Sequence, residues 1–131
     1  MTASAKIRAA TPAAVIGRFQ QLLAEGDVDA LVALYEPDAV FQTPDALVHG
    51  HAAVRRALER FVALAPNMTG DIQKVIEAGD TALVINRWQL DGTAPDGNPG
   101  RLAGLSADVM RRQPDGSWRV LIDDPWGGGG A

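Results

Sequence analysis

Asp108 lies within Leu105-Ser106-Ala107-Asp108-Val109-Met110-Arg111, a run that reads as a sheet strand with apolar neighbours on both sides. An unpaired carboxylate is costly to bury, so an inward Asp108 must be paired, hydrogen-bonded or held neutral by a raised pKa. A neutral carboxyl can give a proton or a hydrogen bond to a ligand oxygen, which is the work of a general acid. Two other readings stay open: a structural carboxylate paired with Arg87, Arg101 or Asn86, and a register that turns Asp108 to water. Asn86 is the second polar residue of this kind, two positions from Val84 and from Trp88. Its amide suits a ligand carbonyl, or else buried backbone groups.

Other chemistry-bearing residues are weaker candidates. His49 and His51 flank a glycine, but the chain has no cysteine and no close third ligand is evident, so no metal site is expected. A pocket-edge role for His49 competes with a plain surface turn. Asp123 and Asp124 are adjacent, and neighbours in a strand point to opposite faces, which disfavours a dyad sharing one proton. One of the two can still look into a cavity mouth. The glycines from Gly92 to Gly100 follow no phosphate-loop spacing, and no cofactor is expected.

Composition narrows the partners. The net charge of −4, without a basic cluster, argues against nucleic acid, whose phosphates demand a basic face. No stretch has the length to span a bilayer, and residues 1–10 lack a continuous apolar core, so the expectation is a cytoplasmic protein with no membrane partner. At 131 residues the chain is expected to form one domain, 1–131, with 1–10 as an N-terminal segment and 127–131 as a flexible glycine-rich tail.

The elements that must position these residues can be read in order. Thr11-Pro12 caps and opens a helix that carries Val15, Phe19, Leu22 and Leu23 and closes at Gly26. Asp27 caps a second helix through Leu31, Leu34 and Tyr35, ended by Pro37-Asp38. A short strand covers Ala39 to Thr43, an extended piece Leu47 to Gly50, and a third helix His51 to Leu64. The period then changes to alternation, with strands at Asp71 to Glu77, Thr81 to Leu90, Leu102 to Arg112 and Ser117 to Asp123. Asp91 to Gly100 is expected to be a loop. Helices followed by an antiparallel meander indicate an α+β domain with the helices on one sheet face.

Alternation puts Val84, Asn86 and Trp88 on one side of their strand and Ser106, Asp108 and Met110 on one side of the next. In the last strand it groups Trp118, Val120 and Ile122. These assignments predict a cavity between helices and sheet lined by Phe19, Phe41, Thr43, Val84, Asn86, Trp88, Asp108 and Met110, with Trp126 as a further ligand contact.

Gly26-Asp27-Val28-Asp29-Ala30-Leu31-Val32-Ala33-Leu34-Tyr35, Asp38-Ala39-Val40-Phe41, His49-Gly50 and Asp115-Gly116-Ser117-Trp118-Arg119-Val120 together resemble ketosteroid isomerase and the wider nuclear transport factor 2-like superfamily, SnoaL-like proteins included. The resemblance runs from about Pro12 to Trp126. It implies a cone-shaped fold: three N-terminal helices in the concavity of a strongly bent, mainly antiparallel sheet. The family's oxyanion-hole aspartate matches Asp108. Its tyrosine partner falls at Phe19, and its general base falls at Thr43, in Gln42-Thr43-Pro44 where the family has Glu-Asp-Pro. Tyr35 matches a network tyrosine, while another falls at Leu58.

With two of the three catalytic groups replaced, steroid isomerisation is not expected. The resemblance implies a cavity for a small hydrophobic molecule, with isomerase, cyclase, dehydratase or hydrolase chemistry using Asp108 as acid. The alternative is a non-catalytic ligand-binding or dimeric accessory domain. It also implies a homodimer through the outer sheet face, here Leu83, Ile85, Ala107, Val109 and Leu121.

Overall fold

The computed structural model describes residues 2–129. A short helix α1 (Thr2–Ile7) precedes α2 (Pro12–Glu25), α3 (Val28–Ala33), β1 (Tyr35–Gln42), β2 (Leu47–His49) and α4 (His51–Val62). Four strands follow: β3 (Asn67–Ala78), β4 (Thr81–Thr93), β5 (Pro99–Arg112) and β6 (Trp118–Asp124). Four helices thus stand among the described residues, and α1 lies in the N-terminal segment 1–10, for which the sequence predicts no helix.

Local signals set the boundaries. The Thr11 hydroxyl accepts from the Ala14 N–H at 3.1 Å, and Gly26 closes α2 at φ 70°, a left-handed value that glycine takes without a Cβ penalty. Asp27 caps α3 through the Ala30 N–H. The second helix stops short of Tyr35, against expectation. Pro37 disfavours helical geometry for Glu36, so the chain is already extended at Tyr35, which opens β1. The expected loop from Asp91 to Gly100 also shrinks. Gly92 pairs with Gly100 and Thr93 with Pro99, with proline at the first position of its strand, where no ladder donor is needed.

The strands form one sheet in the order β2-β1-β6-β5-β4-β3. All pairings are antiparallel except β1 with β6. The expected strongly bent, cone-like sheet is corrected here: the sheet is open, with β2 and β3 at its edges, and is neither strongly curled nor closed. Its central ladder explains this. β4 and β5 pair without a register shift from Thr81↔Arg111 to Thr93↔Pro99, and shifts are confined to single places elsewhere. Each bulge adds local twist where it stands.

The helices cover one sheet face. Leu22 and Leu23 of α2, Leu31 of α3 and Val54 and Leu58 of α4 are buried with Val84, Met110 and Trp118 of the sheet. Among the described residues, no helix is long and apolar enough to cross a membrane.

Candidate functional site

β4 turns Ala82, Val84, Asn86, Trp88 and Leu90 to the helices, and β5 turns Ser106, Asp108 and Met110 the same way. The two-residue period of a strand does this, and the unbroken ladder keeps the two rows level, with Asn86 opposite Ser106 and Val84 opposite Asp108. Asn86 and Asp108 therefore share a face. Both are buried, at 3% and 5% exposure.

β6 supplies the partner that alternation concealed. Val109 pairs with Ile122 but Met110 pairs with Val120, so Leu121 is an extra residue. One inserted residue reverses the facing of everything after it. Ile122 is consequently exposed instead of sharing a side with Trp118 and Val120, and Asp123 comes inward, opposite Asp108. The disfavoured dyad of Asp123 with Asp124 does not form; the pair lies across the strands.

The result is a buried hydrogen-bonded cluster. The Tyr35 hydroxyl donates to Asp123 Oδ2 at 2.5 Å. Asp123 also accepts from the Asp108 carboxyl. Ser106 Oγ lies 2.9 Å from Asp108 Oδ2 and 3.3 Å from the Asn86 carbonyl, and the Asp124 N–H donates to Asp108 Oδ1 at 3.3 Å. Burial, then the adjacent Asp123 carboxylate, pushes Asp108 well above the usual carboxylate range. Burial raises Asp123 as well, and donation from Tyr35 and Asp108 limits that rise without cancelling it. Burial and the same carboxylates keep Tyr35 protonated, raising it well above an ordinary phenol. Of the two facing carboxyls, Asp108 is the one pushed further toward its protonated form. Among the described residues no arginine forms an ion pair with either carboxyl: Arg101 binds Asp91 at 2.8 Å, and Arg87 is exposed.

Around this cluster the walls are apolar. Val15, Ile16 and Phe19 come from α2, Phe61 from α4 and Met68 from β3, with Phe41, Trp88 and Met110 closing the sides. Phe41 stacks between Tyr35 and Phe61, with centroids 6.2 and 6.3 Å away, and Phe19 meets Tyr35 edge-on. The cavity holds about 60 Å³. A single water needs roughly 10–15 Å³ by this measure, so there is room for a few waters or a small ligand.

Three expected lining residues stand elsewhere. Thr43 sits in the β1–β2 turn, its hydroxyl exchanging hydrogen bonds with Ala46 at 2.8 and 3.0 Å. Val84 is fully buried in the core beside Asp108, outside the cavity lining. Trp126 lies against Trp88 at 5.4 Å and donates to the Ala103 carbonyl, 38% exposed. Trp88 itself donates to the Pro125 carbonyl. His51 Nε2 contacts the Tyr35 carbonyl at 2.8 Å, and His49 is exposed. Among the described residues no three His, Cys, Asp or Glu side chains gather as a metal site would require. The expected glycine-rich tail begins on the sheet: the Gly128 N–H donates to the Leu105 carbonyl, while Gly130 and Ala131 lie outside the described residues.

The sequence profile of the SnoaL-like domain matches residues 16–120, most of the chain, and stops short of Asp123. The chain belongs to the SnoaL-like domain family. Solved structures place this SnoaL-like protein in the nuclear transport factor 2-like superfamily. An NTF2-like protein with a cystatin-like fold from Novosphingobium aromaticivorans is 25% identical, with a TM-score of 0.69 over 88% of this chain and 79% of that one. A conserved protein from Planctomyces limnophilus is 22% identical, with a TM-score of 0.74 over 82% and 85%. A ketosteroid isomerase-like protein from Erwinia carotovora atroseptica is 19% identical, with a TM-score of 0.70 over 80% and 84%. No curated protein matches the chain. In this SnoaL-like protein Phe19 is a wall and Leu58 a buried core residue, so neither brings a hydroxyl to the cavity.

Proposed function

We propose that this SnoaL-like protein binds a small hydrophobic molecule carrying at least one oxygen and acts on it by acid–base chemistry, with Asp108 as the acid. One observation carries this reading: two carboxyls, Asp108 and Asp123, face each other across paired strands at the base of an otherwise apolar cavity. A ligand oxygen reaching a protonated Asp108 takes its proton. The second carboxylate so formed beside Asp123 is unfavourable, and it draws a proton back from the reacting molecule. The pair is thus a one-proton donor and acceptor, fit for isomerisation or for loss or addition of water. Asp123 and Tyr35 join Asp108 in the proposed site, with Phe19, Phe41, Asn86, Trp88 and Met110 as ligand contacts.

The test is a panel of four- to six-carbon β-hydroxy ketones, unsaturated ketones and epoxides. Removing a general acid costs about 10²–10⁴ in rate. Asp108→Asn should lose that factor in kcat while still binding the molecule that the wild type turns over. Full activity in Asp108→Asn removes the residue from the chemistry.

A second reading, a non-catalytic binder, is favoured by the fact that both Asp108 oxygens already have donors within the protein. Binding without turnover across the panel would select it. We also propose a homodimer through the sheet face away from the helices. Leu83, Ile85, Ala107 and Val109 are half-buried there, and the bulge brings Ile122 onto it, 39% exposed, where Leu121 was expected to contribute.

A further inference from the structure

Asn86 has a buried acceptor with nothing to accept. Its side chain lines the cavity, the residue is 3% exposed, and Oδ1 has no hydrogen-bond partner among the described residues. The nearby Ser106 hydroxyl has one proton, shared between Asp108 Oδ2 at 2.9 Å and the Asn86 backbone carbonyl at 3.3 Å, and neither contact reaches the Asn86 side chain. An unmet buried acceptor costs about 1–3 kcal/mol, and buried polar atoms in folded proteins are rarely left so. Such an atom in a cavity wall is an acceptor reserved for what fills the cavity.

The surroundings keep that acceptor open. Asn86 sits opposite Ile72 on β3 and Ser106 on β5, and Gly70 lies beside it. A Cβ on residue 70 would stand 2.9 Å from Asn86 Oδ1 and 2.6 Å from Gln20 Nε2, so glycine there leaves both amides their room. Gln20 is close yet makes no hydrogen bond to Oδ1. The other polar groups of the cavity are occupied with one another: Tyr35 and Asp108 donate to Asp123, and Ser106 donates within the sheet.

We infer that Asn86 is the specificity-determining residue of the cavity and selects ligands that bear a hydrogen-bond donor. The substrate class is a compact apolar molecule with a hydroxyl, an alcohol or an enol, held by Asn86 Oδ1 on the same face as Asp108. This rests on the cavity being the ligand site, as proposed above. A ketone of the same shape brings only an acceptor and leaves Oδ1 unmet. Discrimination built on an unpaired buried group is larger than that built on shape alone.

Cyclopentanol and cyclopentanone, titrated separately into the ¹⁵N-labelled full chain and followed by NMR, test this. The expected result is tighter binding of cyclopentanol by roughly 5- to 100-fold, the range set by the cost of an unmet buried acceptor. The Asn86 side-chain amide resonances should shift with the alcohol and stay with the ketone. Asn86→Val should bring the two affinities to parity or favour the ketone. Should that variant fail to fold, the wild-type preference and amide shifts decide alone. Equal affinities, or a preference for the ketone, overturn the inference but leave the cavity as a ligand site; Oδ1 would then be met from within, by Gln20. Failure of both probes to enter overturns the inference together with the cavity reading.

Discussion

A proton held on Asp108 in the folded chain ties stability to pH. The unfolded carboxyl titrates near 3.9, and burial beside Asp123 raises the folded value well above that. The folded state therefore binds the proton more tightly, and linkage makes this contribution fully present below the unfolded pKa and lost as pH rises through the folded pKa. Asp27, Asp91 and Asp115 are lowered by their donors and act in the opposite sense, at and below the ordinary carboxylate range. Urea unfolding of wild type and Asp108→Asn from pH 5 upward isolates the buried group. We expect the wild type to lose stability relative to the variant as pH rises, since the amide still donates to Asp123 and cannot ionise. A pH-independent difference would show that Asp108 carries no raised titration. Tyr35→Phe tests the other end of the cluster. Deleting the hydroxyl leaves Asp123 short of a donor, which should cost about 1–3 kcal/mol and move the Asp123 titration upward, since Tyr35 holds it down. Carboxyl-carbon NMR reads the titration, and an unmoved Asp123 would show that the 2.5 Å contact has no hold on it.

At the scale of the element, the segment after β6 closes the end of the cavity and is itself held by small residues. A Cβ on Gly104 would stand 2.6 Å from Trp126 Cδ1 and 3.0 Å from the Pro125 carbonyl, whereas a Cβ on Gly100, on the same strand, meets nothing within 4 Å. Gly104→Ala should therefore cost about 1–3 kcal/mol through overcrowding and displace the Trp126 indole N–H resonance, while Gly100→Ala stays within about 0.5 kcal/mol. Equal effects of the two would deny that Trp126 is packed down on β5. The same stretch of chain marks what could be read beforehand. The facing within β4 and within β5 is legible because each strand alternates without interruption, whereas the common face of Asn86 and Asp108 is set by the ladder register, which alternation does not give. Asp123 was hidden by the single extra residue at Leu121, which leaves no compositional mark yet inverts the facing of Ile122 and Asp123. Tyr35 was assigned to a helix because its apolar spacing fits one, and Pro37 ends that helix earlier than the spacing suggests. Alternation predicts Thr43 in the cavity, but its hydroxyl closes a local turn with Ala46, three residues on, and so points away from it.

For the whole molecule, two properties follow from how the layers meet. The sheet face away from the helices carries Leu83, Ile85, Ala107, Val109 and Ile122, a continuous apolar area of the kind that marks an interface. Sedimentation at micromolar concentration should give a dimer, and Val109→Lys a monomer of unchanged secondary structure; a monomeric wild type would remove the proposed interface. The inner face sets a limit on size. A cavity of about 60 Å³ lies far below the roughly 300–1,000 Å³ of sites that enclose drug-sized ligands, so a steroid enters only if α2 and α4 separate from the sheet. The chemistry points the same way. Phe19 offers no hydroxyl to an enolate, and the hydroxyl of Thr43 is engaged outside the cavity, so neither donor nor base stands where steroid isomerisation needs it. Losing a positioned base costs about 10²–10⁴ in rate, and losing an oxyanion donor about 10²–10³ more. We therefore expect no measurable conversion of a Δ5-3-ketosteroid to its conjugated isomer, monitored by the absorbance of the enone. Conversion above background would mean that the helices open on binding and that the Asp108–Asp123 pair supplies the base itself. Asp123→Asn, which removes the carboxylate but keeps a side chain of the same shape, should then abolish it.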